Sequence, residues 1–467
     1  MKISKCILSI VFLTFTAGCS NYYTKQLVKE NKSALPILIK NVHIFNGKDS
    51  SLVLNKDVLV ENGFIERITE HSKTKNDQTY HIIDGNGKTL MPGLIDAHVH
   101  LSGSGAVPWE NVSADETYNL KAYLHSGITT VFDLGGMASD IEKLSQEVGK
   151  GELLGPTIYH SHIPITVKNG HPIPLTKEIL GWPLRSFINM LAPTIEKADD
   201  AEKVIQEYLE ENVDYVKIIY DRIPPDSPVM SYDVLQALID QAHGKGYKVF
   251  VHIGSPQNAV DAVNAGADIL AHGVWRGKLT PGQADIIASS KVPIIYTLAA
   301  FQNVNNINKG EYYPEGIDTL LVPKIILDPV TGAKGLDVES QKTMKAFFDD
   351  VTDKSQFLFD NFTLLKERNV QFILGTDSSL PGTYAGSTYL QEIDALKAYG
   401  LSNFEILSGA THLPSKLFLD NPDFGTVEVG KKADLLLING NPLENLELIK
   451  SPETILQNGN IIVKVEK

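Results

Sequence analysis

Residues 93–101 read Gly-Leu-Ile-Asp-Ala-His-Val-His-Leu, and this stretch decides the fold that the sequence predicts. It is short and apolar, and Pro92 precedes it, so the pattern predicts a buried strand that opens a new unit of the chain. Because side chains alternate along a strand, His98 and His100 point to the same side. Two imidazoles at a strand end form half of a metal site, whereas two packed core histidines are the commoner meaning of this spacing alone. The rest of the chain decides between the two interpretations.

Short apolar strands alternate with helical patterns through the middle of the chain. We predict strands at 94–101, 129–134, 157–162, 215–220, 248–253, 269–272, 293–298 and 371–377. Helical patterns lie between them at 114–126, 198–211, 232–245, 256–265 and 354–369. This alternation predicts an α/β protein in which residues 92–412 form a (β/α)8 TIM barrel. A doubly wound open sheet is the alternative, but no glycine-rich nucleotide-binding motif follows a predicted strand.

Both ends of the chain show a different pattern, in which short strands follow one another with tight Asn-Gly turns between them. We predict strands at 37–44, 57–61, 64–68 and 81–84, and again at 425–429, 434–438, 454–457 and 461–465. Neither end is large enough to bury much apolar surface alone. The sequence therefore predicts one small composite β-sandwich domain, built from residues 36–91 and 413–467.

The composition is that of a globular protein with a large core, and it excludes one class of partner. Of 467 residues, 43% are hydrophobic and 21% are charged, which is ordinary for globular chains. The formal net charge is −14 and no long basic run occurs, so binding to nucleic acid is not expected. We expect a small-molecule substrate, and the sequence leaves assembly into a homo-oligomer open.

The first eighteen residues have the order of an export signal. Lys2 and Lys5 precede an apolar run at 6–15, which is too short to span a membrane, and residues 16–19 read Thr-Ala-Gly-Cys. This order resembles a bacterial lipoprotein signal, with lipidation at Cys19 and a polar tether over residues 19–35. It predicts a lipid anchor in the bacterial cell envelope on the periplasmic side, and Ser20 favours the outer membrane. Ordinary secretory cleavage is the alternative.

Polar side chains end five of the predicted barrel strands, where a barrel collects its chemistry. They are His98, His100, Lys217, His252, His272 and Asp377. Burying them without a shared partner would be costly, and a divalent cation such as zinc suits histidine and carboxylate ligands. The only cysteines are Cys6 and Cys19, both in or next to the predicted signal, so metal ligation would fall to nitrogen and oxygen. A lysine beside cations must lose its proton, and a neutral amine reacts with carbon dioxide to give a carbamate that can bridge two metals. A plain salt bridge between Lys217 and an aspartate is the alternative.

These residues resemble the metal-dependent amidohydrolase superfamily, and within it the imidazolonepropionase-like and Xaa-Pro dipeptidase-like branch. The flanking segments agree: residues 91–96 read Met-Pro-Gly-Leu-Ile-Asp and residues 430–435 read Gly-Lys-Lys-Ala-Asp-Leu. Asn169-Gly170-His171 is similar to the Gly-Gly-His loop of that branch and departs from it at the asparagine. The resemblance covers residues 36 to 467.

The resemblance implies a hydrolase of carbon–nitrogen bonds in an amide, dipeptide or cyclic amide. It implies two divalent metals, with zinc as the expected metal, bridged by a hydroxide and by N6-carboxylated Lys217. One metal would be held by His98, His100 and Asp377 and the other by His252 and His272, with Asp377 as the catalytic base. Three alternatives remain: a mononuclear deaminase of the same fold, a lactone or ester hydrolase, and a silent lipoprotein that only binds a ligand.

Residues just beyond the strand ends are the predicted substrate contacts. Connections at 162–197 and 299–353 are too long for simple crossovers, and long loops on this face of a barrel usually shape or cover a site. The candidates are His171, Tyr220, Arg276 and Tyr296, with Trp275 beside them. Arg276 could clamp a carboxylate in bidentate fashion, or it could be an ordinary solvated loop arginine.

Overall fold

The computed structural model describes residues 26–71, 79–107, 110, 112–179, 192–312, 320–331, 341–378 and 380–465. The predicted signal at 1–18 and Cys19 lie outside these residues, so the predicted lipidation stays a prediction. Among the helices of the described ranges, none is long and apolar enough to cross a membrane.

Strands occur in three sheets of a mixed α/β fold. In chain order they are β1 (Val28–Asn31), β2 (Ile37–Ile44), β3 (Val53–Glu61), β4 (Phe64–Glu70), β5 (His81–Asp84), β6 (Thr89–Pro92), β7 (Leu94–Val99), β8 (Ile128–Asp133), β9 (Thr157–His160), β10 (Val216–Ile219), β11 (Val249–His252), β12 (Ile269–Ala271), β13 (Ile294–Ile295), β14 (Phe372–Ile373), β15 (Leu435–Ile438), β16 (Thr454–Gln457) and β17 (Asn460–Lys464). Every one of the eight predicted barrel strands is present. Strand β8 has its predicted length, and the other seven are one to five residues shorter than predicted.

Helices occupy most of the segments between the parallel strands. In chain order they are α1 (Glu116–His125), α2 (Ala138–Gly149), α3 (Ile173–Ile179), α4 (Ala201–Leu209), α5 (Tyr232–Gly244), α6 (Pro256–Asn264), α7 (Pro281–Ser290), α8 (Leu298–Lys309), α9 (Lys324–Thr331), α10 (Lys342–Lys366), α11 (Ser387–Ala398), α12 (Asn403–Gly409) and α13 (His412–Ser415). Short 3-10 helices lie at Ala198–Asp200 and Leu446–Lys450.

Strands from both chain ends hydrogen-bond into one nine-stranded sheet. Its order is β1-β17-β16-β15-β6-β2-β3-β4, and β5 pairs with β2. A hydrophobic cluster of its own joins side chains of the two ends, including Ile39 and Val58 from the first and Leu435 and Leu456 from the second. The sheet thus depends on both ends of the chain, and the domain boundaries that we predict stay predictions.

Two of the end predictions are wrong. The polar segment predicted as a tether contains β1, whose residues pair antiparallel with β17 from Val28↔Lys464 to Asn31↔Ile461. The strand predicted at 425–429 is not a strand but bends and a turn. Gly425, its first residue, and Gly430, the residue after it, have φ values of +81° and +84°, a left-handed conformation that does not continue a strand.

The eight central strands form two parallel sheets. One contains β7, β8 and β9, and the other contains β10 to β14, each in chain order. Backbone hydrogen bonds also bring the first strand against the last, because Ala97 N donates to Leu374 O at 3.0 Å and Asp377 N to His98 O at 2.8 Å. The carboxyl-terminal ends of β7 and β14 are therefore neighbours.

The connection at 299–353 is largely helical where the structure describes it. It contains α8, α9 and the beginning of α10, which starts at Lys342 and not near 354 as predicted. Helix α10 packs against α3, α7 and α8. The described part of the predicted insertion is thus a helical layer, and Asp350 and Lys354 of α10 take part in the ion pairs described below.

Candidate metal centre

The six predicted ligands come together at the carboxyl-terminal ends of the parallel strands. His98 lies in β7, Lys217 in β10 and His252 at the end of β11. His272 and Asp377 lie just beyond β12 and β14, with left-handed φ values of 75° and 52°. Such backbone conformations cost energy in residues other than glycine, and they gather at functional sites. His272 directly follows β12, and Asp377 lies four residues after the end of β14.

The carboxylate of Asp377 is the centre of the first group. Its Oδ1 lies 3.2 Å from Nε2 of His98 and 3.0 Å from Nε2 of His100. The three residues each offer a donor atom within 4.8 Å of the others, and within the described residues they are the group whose geometry suits a metal ion. His98 and His100 thus point to the same side of the strand, as their spacing predicts.

His252 and His272 lie next to this group. Their ring centroids are 4.3 Å apart, and the ring of His272 is 4.7 Å from that of His98. Nδ1 of His272 is within 2.9 Å of the Thr297 hydroxyl and 3.9 Å from Asp377 Oδ2. The contact with Thr297 leaves Nε2 of His272 available to a ligand, and sequence reasoning missed this threonine.

Lys217 is buried among these side chains with its amine unsatisfied. The residue is 1% exposed, and Nζ has no hydrogen-bond partner among the described residues. Burial lowers the pKa of Lys217 to about 7, although the negative charge of Asp377 raises it. A large share of the amine is therefore neutral near physiological pH.

The electrostatics of the cluster favour three neutral imidazoles beside an ionised carboxylate. His100 is the exception, because burial would lower its pKa but the hydrogen bond and charge of Asp377 raise it above the ordinary value. Burial holds the pKa of His98, His252 and His272 well below the ordinary value, and neighbouring positive groups lower it further. Burial alone would raise the pKa of Asp377, but His272 and His100 reverse this and lower it. Neutral imidazole nitrogens with free lone pairs and an ionised carboxylate are the donors of a zinc-type site, so these residues fit a divalent cation.

The four predicted substrate contacts divide into two that lie near the cluster and two that do not. The ring of His171 is 5.0 Å from that of His252, so it joins the site. Arg276 is also near, but two buried carboxylates hold it. The hydroxyl of Tyr220 donates to Asp261 of α6 at 3.0 Å. Tyr296 is fully buried in the core and donates to Leu358 O at 3.1 Å, so its hydroxyl does not face the cluster.

Two aspartates beside the site were not predicted. Asp96 is fully buried, and its Oδ1 accepts from Thr376 N at 3.0 Å while its Oδ2 accepts from the Thr376 hydroxyl at 2.7 Å. Burial raises the pKa of Asp96 to about 7 in spite of these hydrogen bonds. Asp221 is buried beside His252. Only their positions in the sequence could have indicated these two aspartates. Asp96 lies two residues before His98, and Asp221 lies just beyond the strand of Lys217.

Comparison with known sequences identifies a family over most of the chain. The sequence model described as the amidohydrolase family matches residues 89–463. Ochratoxinase of Aspergillus niger is 22% identical over 395 residues, which are 78% of this chain and 73% of the relative. An uncharacterized protein of Mycobacterium tuberculosis is 22% identical over 379 residues, which are 80% of this chain and 85% of the relative.

Solved structures share the fold at low sequence identity. A Xaa-Pro dipeptidase with methionine bound in its active site superposes with a TM-score of 0.73 at 20% identity, covering 92% of this chain and 100% of that one. Molinate hydrolase superposes with a TM-score of 0.71 at 16% identity, covering 92% of this chain and 95% of that one. At such identity the likeness concerns the fold.

Proposed function

This chain belongs to the amidohydrolase family, and from that premise we propose that it hydrolyses carbon–nitrogen bonds at a binuclear metal centre. One observation carries the proposal. His98, His100 and Asp377 present donor atoms within 4.8 Å of one another, directly beside the buried and unsatisfied amine of Lys217. An ordinary core would not leave such groups together without a shared partner.

Two groups of residues would hold the metals. His98, His100 and Asp377 would hold one ion, and His252 and His272 the other. Two divalent ions, with zinc as the expected metal, would supply an acidified water and polarise the carbonyl oxygen of the substrate. The donor set is nitrogen and oxygen throughout, as the sequence predicts.

Lys217 would bridge the two ions as a carbamate. Its neutral Nζ attacks carbon dioxide, an N–C bond forms, and one proton leaves, which gives a group with one negative charge and two oxygens. Two observations support this: Nζ is buried without a partner, and burial lowers the pKa of the amine to about 7. No hydrogen bond between Nζ of Lys217 and an aspartate of the described residues supports the alternative of a plain salt bridge.

Asp377 would move the proton. Its carboxylate accepts a proton from the attacking water and gives it to the leaving nitrogen as the carbon–nitrogen bond breaks. The low pKa of Asp377 keeps it ionised at the start of the reaction, because His272 and His100 stabilise its charge. The left-handed backbone at Asp377 aims the carboxylate into the cluster.

The expected substrates are amides of a non-standard kind. We propose a dipeptide with a C-terminal imino acid, an N-acyl amino acid or a cyclic amide. The fold shared with a Xaa-Pro dipeptidase supports this class, and His171 is one of the two predicted contacts that lie near the cluster.

We propose further that β7 to β14 form a closed (β/α)8 barrel, with the nine-stranded sheet as a separate composite domain. Hydrogen bonds from β7 to the segment after β14 support closure on one side. On the other side Asp214 N donates to His160 O at 2.9 Å, and an isolated parallel bridge joins Ile165 to Ile218.

A metal count and a substrate panel test the function. We expect about two metals per chain, whereas one would favour the mononuclear deaminase and none the ligand-binding protein. Purified, zinc-loaded protein would be assayed with dipeptides, N-acyl amino acids, hydantoins, lactones and aryl phosphates. Turnover of lactones or phosphates alone would contradict the assignment to carbon–nitrogen bonds.

The variant Asp377→Asn is the control for that panel. It keeps the size of the side chain but removes the proton acceptor, so kcat should fall by about 100- to 10,000-fold. A rate equal to that of the wild type would contradict the role of Asp377.

A further inference from the structure

Asp221 is a buried carboxylate with one satisfied oxygen and one unsatisfied oxygen. Its side chain is 0% exposed. Oδ1 accepts from Arg276 Nη1 at 2.6 Å and from Arg222 N at 2.8 Å. Oδ2 has no hydrogen-bond partner among the described residues and lies 3.5 Å from Nε2 of His252, which is buried and also without a partner. A small rotation of either side chain would therefore bring Asp221 Oδ2 and His252 Nε2 into hydrogen-bond contact.

We propose that Asp221 is a positioning residue for His252, and this rests on the function proposed above. Oδ2 of Asp221 accepts the Nε2 proton of His252, which fixes the tautomer that keeps a lone pair on Nδ1. A histidine that holds a metal through one nitrogen generally donates its other N–H to such an acceptor. Nδ1 of His252 would then be the ligand atom.

Arg276 is what holds Asp221 in place. Its Nη1 binds Asp221, its Nε donates to Asp350 Oδ2 at 2.8 Å, and its guanidinium lies 4.4 Å from the centre of the Trp275 ring. Lys354 pairs with the other oxygen of Asp350. Charges alternate along Asp221, Arg276, Asp350 and Lys354, so each buried carboxylate has a cationic partner. Nε and Nη1 of Arg276 are therefore engaged with protein carboxylates, whereas Nη2 has no hydrogen-bond partner among the described residues.

Gly254 leaves the space that Asp221 occupies. A Cβ at residue 254 would lie 2.2 Å from Asp221 Oδ2, so only glycine admits the carboxylate at this position. The carbonyl of Gly254 also accepts from Trp275 N and Arg276 N at 3.0 Å and 2.9 Å. The loops after β11 and β12 are thus joined around the carboxylate.

This network assigns a structural role to helix α10 of the insertion. Asp350 and Lys354 belong to α10, which lies in the segment predicted as a long connection. Through Arg276 this helix supports the carboxylate beside His252.

The experiment uses nitrogen NMR of histidine in the full-length protein, with and without zinc. We expect the Nε2 of His252 to carry the proton in both samples, assigned by comparison with His252→Gln. A proton on Nδ1 in the wild-type protein would overturn the proposal. This readout does not depend on activity, so it stands even if the metal count contradicts the proposed function.

Asp221→Asn is the matched variant. Its amide oxygen can still accept from Arg276, which turns the NH2 group toward His252 and favours the opposite tautomer, with the proton on Nδ1. We expect affinity for the metal held by His252 and His272 to fall about 10- to 100-fold, while the metal held by His98, His100 and Asp377 is retained. Unchanged affinity for both metals and an unchanged tautomer would overturn the proposal, whatever happens to stability.

Asp268→Asn is the control. Asp268 makes a similar arrangement outside the site, since Oδ2 is 2.7 Å from His243 Nε2 and Oδ1 is 2.9 Å from Lys248 Nζ. The variant Asp268→Asn should change the stability of the protein without changing its affinity for metal. An equal loss of metal in this variant would show that the effect of Asp221→Asn is general, and would overturn the positioning role.

Discussion

Asp96 in β7 and Thr376 after β14 are joined by two hydrogen bonds that fix the two sides of the candidate metal centre. The hydroxyl of Thr376 donates to Asp96 Oδ2 at 2.7 Å, and the backbone N–H of Thr376 donates to Asp96 Oδ1 at 3.0 Å. His98 N lies 3.3 Å from the same Oδ1. Asp96 therefore sets the position of His98 relative to Asp377, the residue after Thr376.

We predict that Asp96→Ala destabilises the protein strongly and Asp96→Asn only slightly. Alanine leaves the buried N–H and hydroxyl of Thr376 without an acceptor, which costs about 2–5 kcal/mol in the free energy of unfolding. Asparagine retains an acceptor and the volume. Urea unfolding of the metal-free variants measures the difference, and equal stability of the two variants would contradict this role.

Lys217→Ala should lower both metal content and activity. Without the bridging group we expect fewer than two metals per chain and about a 100-fold lower kcat/KM, the upper end for groups that support a metal site. Short carboxylates added to the buffer should restore part of the activity. Lys248→Ala, a lysine paired with Asp268 outside the site, is the control. Two metals and full activity in Lys217→Ala would rule out the bridge.

The pKa of Asp434 predicts a pH dependence of stability. Burial raises this pKa from 3.8 to about 6. Because the folded state keeps the proton to higher pH than the unfolded state, this stabilising contribution is complete below about pH 3.8 and is lost as the pH rises through 6. Between pH 5 and pH 7 the loss is about 1 kcal/mol.

Asp434→Asn tests that contribution. Asparagine keeps an acceptor for the Asn458 N–H but does not titrate. The difference in free energy of unfolding between pH 5 and pH 7 should therefore change by about 1 kcal/mol relative to the wild type. The same pH difference in both proteins would contradict the assignment to Asp434.

The predicted lipid anchor remains a proposal with a direct test. Protein extracted from membranes should have an intact mass that corresponds to a chain beginning at acylated Cys19, on the periplasmic side of the envelope. The variant Cys19→Ala should lack the lipid and leave the membrane fraction. Detection of an unprocessed chain that begins at Met1 without lipid would exclude the anchor.

The sequence predicted the parallel strands and their polar ends well, for a physical reason. Period-two alternation and strand ends are local properties, so His98, His100 and Lys217 could be placed from their neighbours alone. The same logic, followed further, would have placed Tyr296 correctly. Ile295 contributes to the cluster between the parallel strands, so the next residue must point the opposite way, toward the helices.

The ion-pair partner of each buried charged side chain could not be predicted from the sequence. Asp221 and Arg276 form an ion pair because the loops after β10 and β12 are close in space, and no local sequence pattern predicts this contact. Asp350 reaches Arg276 from a helix that begins twelve residues before its predicted start. Strand β1 was missed because Lys29, Glu30 and Asn31 are polar, as is usual for an edge strand that shields its sheet.

The pairing of β1 with β17 also dictates the order in which the polypeptide can acquire its final form. A ribosome delivers β1 first and β17 last, and β6 must likewise wait for β15. Until synthesis ends, the amino-terminal strands have unpaired edges and an incomplete apolar cluster, a state that invites aggregation. A chain interrupted before Leu435 could complete neither pairing, so premature termination would yield a product for proteolysis and not a smaller enzyme.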